Sequence, residues 1–181
     1  MKEKKKRING KSKGSSFERE VSKKLSLYLT NEKEEIGCWR SSSSGATSTI
    51  NFKNKKKSTL GLQTQSGDII QTIPQGHYNL LDTFFQTYMV EVKFLKSLDL
   101  SPNYSTQFQK IMNQLLREKE QSSKHIFFVL KRNGREVLIL TDSVLHCKSV
   151  GSLVYNELQF DIYYLKDFLM EKENLNISEQ F

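Results

Sequence analysis

In the stretch 88–94, which reads Tyr-Met-Val-Glu-Val-Lys-Phe, the apolar residues Val90, Val92 and Phe94 alternate with Met89, Glu91 and Lys93. A period of two is typical of a β-strand, and it places Glu91 and Lys93 side by side on one face. A carboxylate beside an ammonium group is compatible with two interpretations, a surface charge pair or part of a metal site. The choice between them depends on whether further carboxylates come close to this strand.

Helical spacing is present in other segments. Apolar residues at 17, 21, 25, 28 and 29 predict a helix over 15–30, with Ser15 or Ser16 as its N-cap. The dipeptide Ser101-Pro102 predicts the start of a second helix, and residues 161–172 predict a third. The buried stripe of the second helix is predicted to consist of Tyr104, Phe108, Ile111 and Leu115.

The remaining apolar runs predict strands, which we place at 36–40, 68–73, 83–94, 125–131 and 136–141. The dipeptide Asn133-Gly134 between the last two runs predicts a tight hairpin. Turns are expected at 31–35 and 74–76, and a small glycine-ended loop at 41–45. Residues 77–82 and 144–160 show no decisive pattern.

A chain of 181 residues suits one domain with tails. The predicted organisation is a disordered basic arm over 1–13, a single domain over 14–172 and a flexible C-terminus over 173–181. A basic insert without periodicity lies within the domain at about 46–66. We expect this insert to form a mobile flap over a nucleic-acid groove.

Membrane and disulfide-bonded classes are disfavoured by the sequence. No run approaches the roughly 18 consecutive apolar residues of a membrane span, and no apolar run follows the basic N-terminus as in a signal peptide. Cys38 and Cys147 are the only cysteines, which is typical of a reducing compartment. The prediction is a cytoplasmic protein with no membrane partner.

The net charge of +8 is distributed unevenly along the chain. Residues 1–57 contain 16 of the 28 Lys and Arg but only 6 of the 20 Asp and Glu, and the remainder of the chain is net acidic. Such asymmetry favours contact with a polyanion, nucleic acid above all, through the N-terminal third. A basic tail that serves solubility is the alternative.

Two carboxylates are candidates for the neighbourhood of Glu91. Asp68 lies 23 residues before it at the entry of a predicted strand, and Glu18 lies near the start of the first predicted helix. Each also has an ordinary structural interpretation, since Asp is common at turns and Glu18 follows Ser15 with capping-box spacing. Only the joint occurrence of these groups favours a functional site.

The predicted order is helix, strand, glycine-ended loop, strand with Asp, strand with Glu-x-Lys, helix and hairpin. This order resembles the PD-(D/E)xK nuclease superfamily, and within it the archaeal-type and phage Holliday-junction resolvases. The matching motifs are Lys13–Glu20, Trp39-Arg40-Ser41 with Ser44-Gly45, Gly67–Ile70 and Val90–Lys93. The likeness covers roughly residues 12–141. It implies an α/β fold of the restriction-endonuclease type, a central mixed β-sheet flanked by α-helices.

The resemblance also implies roles for the carboxylates. Hydrolysis of a phosphodiester requires charge neutralisation at phosphorus and a nucleophilic water, and Mg²⁺ with hard oxygen ligands provides both. The implied ligands are Asp68, Glu91 and the backbone carbonyl of Val92, with Mn²⁺ as a substitute ion. Lys93 would orient the attacking water or stabilise developing charge, and Glu18 would act through water or a second ion.

DNA, branched or duplex, is the partner that the resemblance implies, bound by a homodimer without a small-molecule cofactor. The residues expected to contact DNA are Arg19, Arg40, Ser41, Lys53, Lys55, Lys56 and Lys57. The predicted function is a metal-dependent endodeoxyribonuclease of the junction-resolving kind, in a bacterial, archaeal or phage-infected cell. The alternatives are a restriction-type or transposon-end endonuclease of the same fold and a non-catalytic DNA-binding module.

Overall fold

A computed structural model describes residues 10–41, 67–96 and 105–171, and in this part of the chain one mixed β-sheet carries helices on both faces. The helices are α1 (Gly10–Leu29), α2 (Asn79–Thr87), α3 (Thr106–Ser122) and α4 (Leu165–Met170). The strands are β1 (Cys38–Arg40), β2 (Ile69–Gln71), β3 (Tyr88–Leu95), β4 (His125–Arg132), β5 (Leu138–Thr141), β6 (Gly151–Tyr155) and β7 (Leu158–Tyr164).

The strand order across the sheet is β1-β2-β3-β4-β5-β7-β6. β3 and β4 are parallel, and the other neighbouring strand pairs are antiparallel. A parallel pair needs a crossover connection, and the segment that contains α3 supplies it. The sheet is therefore mixed, as predicted, with the Glu-x-Lys strand third in the order.

Alternation along the strands divides the core into two layers. Val90 and Val92 of β3 face a layer with α1, α2 and α4, to which Phe17, Leu25 and Phe84 belong. The neighbouring positions of the strands pack against α3 on the other face, where Phe108, Met112 and Leu115 are buried. Packing of the two apolar layers holds β3 rigid, and this fixes the backbone positions of Glu91 and Lys93.

The predicted start of the first helix was wrong. α1 begins at Gly10, so it includes four residues predicted to belong to the arm, and Ser15 and Ser16 lie inside the helix. Glu18 therefore is not a capping-box residue. The apolar stripe begins only at Phe17, and residues 10–16 contain no apolar side chain, so the pattern could not indicate this extension.

Two other boundaries were also misplaced. Residues 83–87 belong to α2, where the buried Leu81 and Phe84 have helical spacing, and β3 begins only at Tyr88. Residues 161–164 extend β7, and α4 is confined to Leu165–Met170. The segment 144–160, which had no decisive pattern, contains β6 and the start of β7.

Other predictions are confirmed or fall outside the described residues. The β4–β5 hairpin turns at Gly134, whose φ of 66° suits glycine. α3 is described from Thr106, where Ser105 accepts from the Phe108 N–H, and the predicted start at 101–102 lies, with Tyr104, outside the described residues. The insert at 46–66 and residues 42–45 lie outside the described ranges. Within those ranges, no helix has the length and apolar character needed to cross a membrane.

Asp142 links the end of β5 to α3 and β4. Its carboxylate pairs with Lys119, accepts from the Ile126 N–H at 2.7 Å and lies 3.2 Å from Nδ1 of His125. Burial opposes the charged form, but Lys119 and the Ile126 N–H outweigh burial and lower the pKa of Asp142. The carboxylate therefore stabilises the fold above the ordinary Asp pKa of 3.8, and this contribution is lost as pH falls through the depressed value.

We expect Asp142→Asn to lower the free energy of unfolding by about 1–3 kcal/mol at pH 7, because it removes a buried charged hydrogen bond. Urea unfolding of both proteins at pH 7 and at about pH 3 measures the effect. The difference between the two proteins should shrink at the lower pH. A difference that is independent of pH would contradict a role for the carboxylate charge.

Candidate active site

Asp68 is placed by a close approach between the entry of β2 and β3. Gly67 forms an isolated bridge with Val90, and the Asp68 N–H donates to the Val90 carbonyl at 2.8 Å. Gly67 has φ of 102°, and a Cβ atom at this position would lie 2.5 Å from the Val90 oxygen. Only glycine fits both conditions, and it allows the Asp68 side chain to approach the middle of β3.

The carboxylates of Asp68 and Glu91 converge on one ammonium group. Oδ2 of Asp68 accepts from the Val92 N–H at 3.1 Å and lies 2.9 Å from Nζ of Lys93. Oε1 of Glu91 forms an ion pair with the same Nζ. Glu91 is 3% exposed, which is unusual for a charged residue and requires partners. The structure thus brings together Asp68, Glu91 and Lys93, the three residues that the resemblance had grouped.

The electrostatics of this triad disfavour the charged form of Glu91. Burial raises the pKa of Glu91, and the charges of Asp68 and Glu118 raise it further against the effect of Lys93. Burial alone would lower the pKa of Lys93, but the carboxylates of Glu91 and Asp68 raise it overall. One ammonium charge therefore faces two carboxylates, and an additional cation at this position would relieve their repulsion.

Glu18 approaches the site from α1 but is held by Arg40. Oε2 of Glu18 lies 2.9 Å from Nη2 of Arg40, and both side chains are largely buried. Burial raises the pKa of Glu18, Asp68 adds to the rise, and Arg40 opposes it. Two residues that the resemblance gave separate roles, metal and DNA, are thus partners of each other in this structure.

The other residues predicted for the site lie near the triad or outside the described ranges. The Ser41 N–H donates to the backbone carbonyl of Asp68 at 2.7 Å, so the end of β1 is attached to the residue that carries the carboxylate. Val92 lies between Glu91 and Lys93 in β3, and Arg19 is exposed on α1 next to Glu18. Lys53, Lys55, Lys56 and Lys57 lie outside the described residues.

Sequence reasoning missed Glu118 of α3. Its charge contributes to the raised pKa of Glu91, and Nε2 of Gln114 donates to its Oε1 at 2.8 Å. Glu118 lies 27 positions after Glu91 and on a different element. Gln114, four positions before Glu118 on the helix, is also polar. Because no local pattern connects α3 to β3, only the packing of the helix on the sheet reveals this carboxylate.

The donor set suits a hard divalent cation. In the described ranges no group of three or more His, Cys, Asp or Glu side chains is arranged to hold a metal ion. Mg²⁺, however, is commonly held by one or two carboxylates together with water and substrate phosphate, rather than by a full protein cage. The Lys93 ammonium is a cation that two carboxylates share. It therefore marks a position at which a divalent cation would also be stabilised.

A cavity of about 390 Å³ lies at the opposite end of the sheet. Tyr28, Phe84, His125 and Cys147 are among its lining residues, whereas Asp68, Glu91 and Lys93 do not line it. Burial raises the pKa of the Cys147 thiol to about 11, which keeps it protonated and unreactive at neutral pH. The cavity is therefore not part of the candidate site.

The mixed sheet flanked by helices is a restriction-endonuclease-like fold, and its third strand carries the Glu-x-Lys pair. A family model described as "Phage putative PDDEXK endonuclease" matches residues 9–174. The chain belongs to this family of PD-(D/E)xK endonucleases. The match extends beyond residue 141, where the motif resemblance ended, and so includes β6 and β7. Searches of curated proteins and of solved structures gave no significant match.

Proposed function

We propose that this protein is a metal-dependent endodeoxyribonuclease that selects branched DNA, as Holliday-junction resolvases do. The observation that carries the proposal is the convergence of Asp68 and Glu91 on the Lys93 ammonium at the centre of a PD-(D/E)xK fold. Membership in an endonuclease family supports the reaction class. Selection of branched DNA rests on the resemblance of the motifs to those of resolvases.

In this proposal Asp68, Glu91 and the Val92 carbonyl would hold Mg²⁺, with Mn²⁺ as a substitute. Such an ion, when bound, would neutralise charge on the phosphoryl group and provide a nucleophilic water. Lys93, released from its shared position between the carboxylates, would direct its charge to the reacting phosphate or water. The buried surroundings strengthen every one of these interactions because they exclude bulk solvent.

Arg40 and Ser41, at the end of β1, are proposed to contact the DNA backbone, with Arg19 and the lysines at 53–57 as further contacts. Arg40 already holds Glu18 at 2.9 Å, so its guanidinium would be shared between a carboxylate and a phosphate. Glu18 then completes the site through water or a second ion. A homodimer would place two such sites for paired cuts in a symmetric junction.

Cleavage of a defined DNA panel tests the proposal. A four-way junction, a flap and a linear duplex are incubated with the purified protein in Mg²⁺, in Mn²⁺ or in EDTA. The expected result is paired nicking of the junction with either metal and no cleavage in EDTA. Preferential cleavage of the linear duplex would favour a restriction-type or transposon-end enzyme, and binding without any cleavage would indicate a non-catalytic module.

Glu18→Gln is expected to lower the cleavage rate by about a hundredfold, and loss of the ion pair with Arg40 should lower stability by about 1–3 kcal/mol. The reason for the effect on cleavage is that the charge of Glu18 interacts with that of Asp68. Single-turnover cleavage and thermal melting measure the two effects. Glu20→Gln, which removes an exposed carboxylate two residues further on, is the control. A variant that melts lower but cuts at the wild-type rate would show a purely structural role.

Deletion of residues 1–13 is expected to weaken binding to all DNA shapes alike, because seven cations are removed and phosphate contacts carry no sequence information. The slope of log affinity against log salt should flatten by several units, at about 0.9 per lost phosphate contact on duplex DNA. Cleavage at saturating DNA should persist. Identical slopes for the full and truncated chains would mean that these residues do not touch DNA.

A further inference from the structure

The turn between β4 and β5 lies beside the candidate active site. β3 and β4 are parallel, and their register pairs Lys93 with Leu130 and Leu95 with Arg132. The turn that follows Arg132 therefore begins at the end of the sheet where β3 ends, two residues beyond Lys93. This position could not be read from the sequence, because the turn is about 40 residues from Glu91 along the chain.

Arg132 also emerges on the same face of the sheet as the carboxylate pair. Glu91, Lys93 and Leu95 share one face of β3 by the period of two, and the register partner of Leu95 projects to that face as well. Leu95 and Leu130 pack in the layer under α3, which confirms the direction of this face. Arg132 thus lies on β4, the strand next to the one that carries Glu91 and Lys93. Along the strand direction it lies two residues beyond the level of Lys93.

Cations concentrate at this end of the sheet. Arg132 is partly buried, Arg135 is exposed at the turn, and Lys96 is exposed where β3 ends. Glu136, the next acidic residue after the turn, lies 3.3 Å from Nζ of Lys166 and so has a cationic partner. Lys131 projects to the opposite face, where its Nζ lies 5.2 Å from the ring centroid of Phe17. Arg132 therefore lies on the same face of the sheet as the triad, and Arg135 and Lys96 are exposed at the same end of the sheet.

We infer that Arg132, Arg135 and Lys96 form a phosphate-binding surface for the DNA strand that continues past the scissile phosphate. Guanidinium groups suit phosphates because their N–H donors bind two oxygens at once, and a lysine adds a point charge. This inference rests on the proposed function for the identity of the ligand. It assigns DNA contacts to the net acidic part of the chain after residue 57, in which the distribution of charge along the sequence had suggested few DNA contacts.

Equilibrium binding of labelled duplex in EDTA, across a range of salt concentrations, tests the inference without cleavage. The double variant Arg135→Ala/Lys96→Ala is expected to bind about tenfold more weakly at low salt, with a salt slope reduced by about 2. Arg132→Gln should weaken binding separately, and thermal melting checks that it folds. Lys33→Ala is the matched control, because Lys33 is exposed in the turn after α1 near the other end of the sheet. It should bind like the wild type.

The outcomes separate this inference from the proposed function. If the wild type binds DNA but cuts no substrate, and the double variant still binds weakly, the surface stands while the nuclease proposal fails. If the wild type cuts DNA and the folded variants bind with its affinity and salt slope, the surface is refuted and the nuclease proposal stands. A wild type that binds no DNA would overturn both.

Discussion

Changing Asp68 to Asn or Glu91 to Gln is expected to lower the DNA cleavage rate at least about a hundredfold to a thousandfold, with DNA binding largely retained. Each substitution removes one of the two carboxylates that converge on the Lys93 ammonium. An amide of the same shape keeps the packing but cannot hold a divalent cation with comparable strength. Single-turnover cleavage at saturating DNA, together with binding in EDTA, measures the two properties separately.

Lys93→Ala should also abolish cleavage, but for a different reason. It leaves Asp68 and Glu91 to repel each other in a buried position without their shared cation. Its melting temperature should therefore fall and should recover on addition of Mn²⁺ more than that of the wild type does. Glu20→Gln again serves as the control for loss of a carboxylate. Normal turnover in any two of the three site variants would refute the assignment.

Gly67→Ala is the second change with a large expected effect, on both stability and activity. A side chain at φ of 102° costs about 1–3 kcal/mol in backbone strain, and the added Cβ would lie 2.5 Å from the Val90 oxygen. Relief of this contact must move the entry of β2 away from β3 and carry the Asp68 carboxylate with it. We expect lower thermal stability and cleavage reduced at least about a hundredfold.

Gly76→Ala separates the effect of backbone strain from the effect of a steric clash such as that between a Cβ atom at position 67 and the Val90 oxygen. Gly76 has a similar φ of 94°, but a Cβ atom added there would have no neighbouring atom within 4 Å. This variant should lose stability through strain alone and keep its cleavage rate at temperatures where it is folded. Equal cleavage rates in the two alanine variants would show that the contact between Gly67 and Val90 does not position Asp68.

The parts of the fold that were predictable are those in which neighbours along the chain carry the pattern. The alternation around Glu91 and Lys93 is a property of one strand, and the Asn133-Gly134 turn is a property of two residues, so both were predicted correctly. The predicted start of α1 was wrong because residues 10–16 contain no apolar side chain, and apolar spacing was the signal. β7 was mistaken for helix over 161–164 because its pairing with β5 and β6 is not a local property.

The candidate site shows the same limit. The resemblance of the motifs grouped Asp68 with Glu91 and Lys93, and the Asp68 and Lys93 side chains lie 2.9 Å apart. The pairing of Glu18 with Arg40 was not predictable, because it depends on how α1 packs against β1. The approach of Gly67 to the Val90 carbonyl likewise depends on the packing of two separate elements. This approach explains why the motif Gly67–Ile70 begins with glycine, which the sequence alone did not explain.

The proposed function requires that the carboxylates of Asp68 and Glu91 form a divalent-cation site next to Lys93. Anomalous diffraction from crystals grown with Mn²⁺ tests it most directly, with crystals of Glu91→Gln as the comparison. We expect an anomalous peak in contact with both carboxylates, displacement of the Lys93 ammonium from between them, and loss of the peak in the variant. Wild-type crystals without a peak at these carboxylates, and with the ammonium still shared by Asp68 and Glu91, would contradict it.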